Sequence, residues 1–466
     1  MNAVSRRRKN LEKQLKPMMR MDRLKSMLLR TIQVPADLSS LTTQDIPGEI
    51  DPAAAGMTQE DVDAIWASVE GLYRTGVYPG LSFSLRKNGC LVLHRAIGHS
   101  HGNGPGDPPD AEKILMTPQT PVCQYSASKA VTAMMIHLLA ERGDLDLDDP
   151  IKKYIPEFAR NNKQDITIFH PISHHGGIPT PPADTDPEIL YDQEAFVRLI
   201  CRLKPTSPQG GSMAYYAITG GVILGEIVHR ITGGTLRSLL DESIRKPLGF
   251  RYFNYGVPDA DIPRVAMNYH TGPPLIFPIS YIARRALSAP WGEVVRISNQ
   301  PRFMQVIIPA ANLVATADEM ALFFQLLLNG GELGGVRIFQ PETVRRAVAP
   351  AAKMGFDGTM VVPMRYSAGL MLGAAPVGLW GPYSESAFGH VGFMNILCWA
   401  DPARDISVSL QTTGKTLIGT HIGPLVRFLF IVGRRCRMKT DPDRDVGPFS
   451  AFIEPLQKML RKLMLD

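Results

Sequence analysis

Cysteine is scarce in this chain: there are five in 466 residues, at positions 90, 123, 201, 398 and 436, an odd number with no Cys-x-x-Cys pair. That excludes a disulfide framework and a cysteine zinc site, and it reads as free thiols in a reducing, cytoplasmic compartment. Long apolar runs are missing as well. The nearest candidate, Leu417–Val432, is interrupted by His421, Pro424 and Arg427, so no membrane span is expected. The first residues lack the apolar stretch of about 7–15 residues that a secretory signal needs. There is no repeat, no glycine period of three and no low-complexity block, which excludes solenoid, collagenous and disordered architectures. His170 and His174 stand four apart, but Pro171 lies between them and no glutamate follows His170. A helical metalloprotease pair is therefore excluded, and no metal or cofactor is expected.

An excess of positive charge is also absent from the body of the chain. The net charge is +6, yet residues 1–30 hold ten Lys and Arg against Glu12 and Asp22, a balance of +8, so the other 436 residues sum to −2. Such a body is no trap for a polyphosphate, and no nucleic-acid partner is expected. In the arm of residues 1–30, Leu11, Leu15, Met18, Met19, Leu24 and Leu28 are spaced like one helix face, with Pro17 against a single helix. A basic amphipathic arm suits peripheral contact with an anionic membrane surface; a solvated arm and a transit peptide are the other two readings.

What the chain does have is 44% hydrophobic and 20% charged residues, the balance of a globular protein large enough for two packed regions. Thr58–Arg74 reads as a helix capped by Thr58. Leu81–Arg86 and Cys90–Ile97 alternate as strands and meet at Asn88-Gly89, a tight-turn dipeptide. Ser126–Arg142 is a helical run closed by Gly143. Helices are also expected at Ile218–Arg230, Thr316–Asn329 and Pro341–Val348, and strands at Phe393–Ala400 and Ile406–Gln411. The simplest arrangement is an α/β fold of the α+β type: an antiparallel sheet flanked by helices, with a mostly helical second region forming a cleft against it. The expected division is a basic arm and linker over 1–56, an α/β sandwich from 57–155 and 301–432, a helical insert over 156–300, and a tail over 433–466.

Two motifs compete for a nucleophilic serine. Gly98-His99-Ser100-His101-Gly102 matches Gly-x-Ser-x-Gly, but a nucleophile elbow needs a helix after the serine, and Gly104, Pro105, Gly106, Pro108 and Pro109 forbid one. Ser-x-x-Lys occurs three times, at Ser84/Lys87, Ser126/Lys129 and Ser243/Lys246. The first lies in a strand, where residues three apart face opposite sides, and the third at a solvated helix end. Only Ser126 opens a long apolar helix, where i, i+3 spacing puts Lys129 on its own face. A serine hydroxyl needs a base within reach. Lysine can serve if burial and the positive helix end lower its pKa.

These residues resemble a family. Pro121–Lys129, Leu138–Gly143, Leu145–Pro150, Tyr154–Phe158, Ser173–Pro179, Pro309–Asn312, Gly330–Leu333 and Phe388–Gly392 together look like the penicillin-recognising serine hydrolases, in particular the class C β-lactamase-like proteins and their esterase branch. The resemblance spans about residues 58–432. It implies Ser126 as nucleophile, Lys129 as its partner, and a tyrosine whose phenolate shuttles the serine proton to the leaving group. The family's Tyr-x-Asn is absent here. The esterase pattern Tyr-x-Ala-x-Thr-x-Gly selects Tyr215, through Ala217, Thr219 and Gly221, with Tyr216 as the alternative frame. The resemblance further implies an oxyanion hole from the Ser126 and Phe393 amides, and substrate-binding roles for His390 and Gly392. His390 stands where β-lactam-cleaving relatives carry lysine, so no fixed positive charge would grip a carboxylate. The expected activity is hydrolysis of short or medium acyl esters, small-molecule substrates, through a Ser126 acyl-enzyme. Acyl transfer, weak β-lactam cleavage, and a catalytically degraded membrane-associated scaffold are the alternatives.

Overall fold

The computed structural model describes residues 29–178, 180–182, 185–207 and 213–440. The basic arm falls outside these up to residue 28, and the expected tail does so from residue 441.

In chain order, the elements that position the site are β1 (Thr42–Gln44), α1 (Gln59–Tyr73), β2 (Gly80–Lys87), β3 (Cys90–His101), α2 (Ser128–Glu141), α3 (Thr219–Thr232), α4 (Ala317–Leu328), β4 (Met371–Leu372), β5 (Phe388–Gly392), β6 (Ile396–Asp401), β7 (Ile406–Thr412) and α5 (Ile422–Arg435). The strands form one antiparallel sheet in the order β1-β3-β2-β7-β6-β5-β4, and Ile114–Leu115 pairs with β3 as an eighth. Sequence-distant hairpins thus meet at β2 and β7, as an antiparallel sheet with an insert requires.

Local chemistry explains the elements. Thr58 accepts from the Asp61 amide while the Asp61 carboxylate accepts from the Thr58 amide, a capping box that starts α1. Asn88 and Gly89 have φ of 52° and 78°, as a two-residue hairpin turn demands. Along β2, Leu81, Phe83 and Leu85 face a core shared with α1 and α5, where the Phe83 and Phe428 rings meet edge-on at 5.6 Å. The alternate residues face α4: the Ser84 hydroxyl donates to Asp318, which also pairs with Arg86 at 2.8 Å. A second core gathers α2, α3 and the helices around residues 193–308. Helix α2 is buried on all sides from Ser128 to Leu139, which is why its sequence is apolar throughout rather than striped.

The segment expected as a linker before residue 57 is packed instead. Residues 42–44 pair with Ile97, Ala96 and Arg95 of β3, Glu49 binds Arg95 at 2.7 Å, and Asp45 meets the His94 ring at 2.9 Å. Its acidic residues answer basic ones on β3, a match that shows only once β3 is in place. The second strand pair is also shifted. Residues 388–392 are themselves a strand and Phe393–Asn395 is the turn after it, so His390 lies within β5 rather than ahead of the first strand. Two glycines and a histidine hide that strand's pattern. Leu417–Val432 becomes mostly α5, whose Phe428 and Val432 are buried on the sheet, and the helix runs past 432 into the expected tail. Among the described residues no helix is long and apolar enough to cross a membrane.

Candidate active site

Ser126 sits in a single 3₁₀ turn, Tyr125–Ala127, immediately before α2, rather than as the helix's first residue. Tyr125 takes φ of +46° there, and Ser128 fixes the turn: its hydroxyl donates to the Tyr125 carbonyl and accepts from the Leu313 amide at 3.0 Å. One helical turn on, the Lys129 Nζ lies 3.0 Å from the Ser126 Oγ and donates to the Ala310 carbonyl at 3.0 Å. That carbonyl is brought close by Gly221 of α3, where a Cβ would stand 2.7 Å from the Ala310 Cβ. Among the described residues no carboxylate pairs with Lys129, and burial drives its ammonium well below the usual lysine range.

The two tyrosines part at the boundary between the cores. Tyr215 joins the sheet-side core, while Tyr216 turns into the helical one. The Tyr215 phenol is within hydrogen-bonding reach of Ser126, and its ring centroid is 4.9 Å from the Lys129 Nζ. Burial pushes that phenol up, so it stays protonated. The expected phenolate would have to form beside the buried Asp357 carboxylate, which together with burial opposes that charge.

His390 is 1% exposed, and it sits behind Tyr215, with ring centroids 6.4 Å apart. Its Nδ1–H donates to the Val391 carbonyl at 2.8 Å, and its Nε2 is buried without a partner. Burial, reinforced by Lys129, pushes the imidazole down to about 3, so it is neutral. It is not among the residues that wall the cleft in front of Ser126, and neither are Lys129 and Tyr215. Gly392 ends β5 against the residue before the nucleophile turn, and Phe393 follows at φ +46°. The Phe393 ring lies between Tyr125, at 4.8 Å, and Trp291, at 4.1 Å. Asn395 holds this turn from within. Its amide donates to the Phe393 and Thr416 carbonyls, and its oxygen accepts from the Tyr78 hydroxyl.

Two groups near the site escaped the sequence reading. The His174 ring lies tilted against Tyr215 at 4.7 Å and edge-on to Tyr366 at 4.8 Å, and its Nδ1 accepts from the Tyr216 amide. Burial, then the neighbouring Lys129, drives it well below the usual histidine range. The fully buried Asp357 accepts from the amides of Tyr215, Thr359 and Met360 and from the Tyr366 hydroxyl. It thereby anchors the backbone that carries Tyr215. Nothing in Phe356-Asp357-Gly358 signals that role, whereas His174 sat in the loop already picked out by resemblance.

The decoys lie elsewhere. Ser100 is inside β3 and donates to the Ile114 carbonyl. Lys87 donates to the Arg404 carbonyl, and Ser243 lies beside the Arg142 guanidinium. In front of Ser126 opens a cleft of about 1020 Å³, part of it open to solvent, with Tyr125, Ser126 and Phe393 on one wall.

A model of the family described as Beta-lactamase matches residues 60–422. A curated relative, the esterase/beta-lactamase LipL of Mycobacterium tuberculosis, is 29% identical over 359 residues, covering 71% of this chain and 79% of its own. Among solved structures, a penicillin-binding protein homologue from Caulobacter crescentus superposes with a TM-score of 0.68 at 29% identity, over 80% of this chain and 96% of that one. A family VIII carboxylesterase gives 0.67 at 25% identity, over 81% and 97%. With a buried lysine beside a serine at the start of a buried helix, and a match over most of its length, the chain belongs to the Beta-lactamase family of penicillin-recognising serine hydrolases.

Proposed function

We propose that the protein is a serine carboxylesterase that hydrolyses short or medium acyl esters through an acyl-enzyme on Ser126. The observation that carries this reading is the grouping of Ser126, Lys129 and Tyr215: the Lys129 Nζ lies 3.0 Å from the Ser126 Oγ and 4.9 Å from the centroid of the Tyr215 ring. In the first step the unprotonated Lys129 takes the Ser126 proton as Oγ attacks the ester carbonyl carbon. The oxyanion that forms is met by the Ser126 and Phe393 amides. When the carbonyl–alkoxide bond breaks, the Tyr215 phenol protonates the leaving alcohol and is itself reprotonated from Lys129. Water then repeats the sequence: it gives a proton to Lys129 as it attacks, the acyl–Oγ bond breaks, and the serine regains its proton as the carboxylic acid leaves.

Neutrality around the site favours esters over β-lactams, whose carboxylate needs a partner that His390 does not supply. Acyl transfer would use the same acyl-enzyme with an alcohol in place of water. The division of the chain into a sandwich region and a helical insert, and peripheral membrane contact through residues 1–30, remain part of the proposal. Fluorophosphonate labelling together with p-nitrophenyl acetate turnover tests the central claim. Wild type is labelled and active, Ser126→Ala is neither, and Ser100→Ala keeps both. An unlabelled wild type would favour the scaffold reading.

A further inference from the structure

Among the described residues the most exposed large apolar side chain is Phe277, at 79%, and two close to it in the chain are exposed as well, Ile276 at 69% and Tyr281 at 61%. Helical hydrogen bonds begin at this point: the Ser280 amide donates to the Ile276 carbonyl at 2.9 Å, and the Ile282 amide to the Pro278 carbonyl at 3.1 Å. Tyr281 therefore stands one turn after Phe277 on the same face of the helix Ile279–Leu287, and the exposed Arg284 and Arg285 follow one turn further on. Single apolar residues on a surface are ordinary; a protrusion that holds an isoleucine, a phenylalanine and a tyrosine out together marks a contact surface.

The charge around this protrusion is of one sign. Three segments meet at its root: the Gly272 amide donates to the Arg30 carbonyl at 3.3 Å, Tyr269 and His270 pair in parallel with Gly414 and Lys415, and a Cβ on Gly419 would stand 3.2 Å from the Pro273 Cδ. Residues 29–36, 262–292 and 406–440, which make these contacts, contain no aspartate or glutamate. The flanking acids are paired, Asp261 beside Arg251 and Arg264, and Glu293 beside Arg296. Residues 1–28, with nine Lys and Arg against Glu12 and Asp22, join the described chain at Leu29, next to Arg30 and so at the same root. In a two-fold pairing of this face the arginines of both copies would meet with no carboxylate between them. An anionic lipid surface answers both features: isoleucine and phenylalanine leave water, tyrosine sits at headgroup level, and arginine meets lipid phosphate. We propose that Ile276, Phe277 and Tyr281, with Arg284 and Arg285, form a docking surface for an anionic lipid bilayer. The surface belongs to the folded body and does not rest on the arm contact proposed above. Its helix is about 13 Å long and ends at Leu287, on the wall of the cleft in front of Ser126, so a docked molecule keeps that wall close to the lipid.

The test uses the full chain with vesicles of phosphatidylcholine mixed with phosphatidylserine, and of phosphatidylcholine alone. The expected result is co-sedimentation with the mixed vesicles. Ile276→Ser combined with Phe277→Ser should lower the partition coefficient at least about tenfold, and Arg284→Gln combined with Arg285→Gln about tenfold. Ile46→Ser, at an exposed position outside the protrusion, should leave it unchanged. Phe277→Trp reads the contact directly: its emission should shift to the blue on the mixed vesicles and be quenched by brominated phosphatidylcholine, whereas Ile46→Trp should show neither. Binding that survives both double substitutions, with no quenching in Phe277→Trp, would leave the arm as the contact and overturn the docking surface. Equal binding to phosphatidylcholine alone would overturn the anionic partner. A wild type that ignores the vesicles would overturn the proposal outright, and a wild-type dimer that Ile276→Ser with Phe277→Ser converts to a monomer would give the surface to a second copy of the chain. None of these readouts is turnover, so their outcome is separate from the esterase reading of Ser126.

Discussion

Gly392 and Gln124 stand backbone to backbone: a Cβ on Gly392 would lie 2.2 Å from the Gln124 carbonyl oxygen. This contact ties the end of β5 to the turn carrying the nucleophile, and so sets the spacing between the Ser126 and Phe393 amides. The aromatic stack of Tyr125, Phe393 and Trp291 closes the same joint from the other side.

Gly392→Ala should therefore spread the oxyanion hole without unfolding the sheet. The expected loss in kcat is about 10²–10³-fold, the worth of one misplaced oxyanion donor, with the far-ultraviolet circular dichroism spectrum unchanged. Turnover within a few-fold of wild type would show that the Phe393 amide takes no part.

Lys129 can act as a base only while unprotonated, and burial holds its pKa well below the ordinary value. Activity should thus rise with pH through that depressed pKa and reach its plateau below the pH at which an ordinary lysine titrates, and the plateau should persist through the range where an ordinary tyrosine ionises, because burial pushes the Tyr215 phenol up. Lys129→Arg places a permanently protonated group at the same spot. It should cost as much as Lys129→Ala, about 10²–10⁴-fold in kcat. An arginine variant that kept its activity would remove Lys129 from the base role.

The frame of the tyrosine motif is decided by which core each ring joins. Tyr215→Phe keeps the contacts with His174 and removes the phenol beside Ser126, so kcat should drop by about 10²–10⁴-fold with little change in KM. Tyr216→Phe, in the helical core, should change turnover by no more than a few-fold. Steady-state kinetics of the pair check this, and the opposite pattern would shift the shuttle by one residue.

Much of this site was legible in the chain because its chemistry is local. Ser126 and Lys129 are three residues apart on one helix, the apolar run that buries them is continuous, and Asn88-Gly89 announces its own hairpin. What stayed hidden depends on contacts between distant segments. Residues 42–50 look like a linker until the Arg95 and His94 side chains of β3 face them. β5 escapes the strand pattern because Gly389 and Gly392 serve close backbone approach, to Cys398 and Gln124, rather than burial of side chains. Asp357 leaves no local trace, since its four partners come from three separate stretches of chain. The charge state of Tyr215 is not legible for a related reason: a motif gives the residue, while the burial that bears on its charge belongs to the whole fold.

Acid stability gives a last test, independent of turnover. Burial pushes His137 and His421 down to about 4 and His390 to about 3, so all three are neutral in the folded protein near pH 5. In the unfolded chain they bind protons below about pH 6.5. The unfolded state therefore holds more protons between pH 6.5 and 4, and stability falls as the pH drops through that window. Each fully buried histidine contributes on the order of 3 kcal/mol when the whole window is crossed. Carboxylates with lowered values, such as Asp241 beside Arg245, begin to contribute only below about pH 4.5, so the interval from pH 7 to 5 reports the histidines. The urea midpoint should be lower at pH 5 than at pH 7. His137→Gln keeps a donor for the Ala368 carbonyl, which now accepts from the His137 Nε2 at 2.8 Å, but it has no proton to bind. Its midpoint should fall less over the same interval. Equal midpoints at the two pH values for wild type would mean that these imidazoles open to water at little cost, and that the core around α2 is looser than its packing indicates.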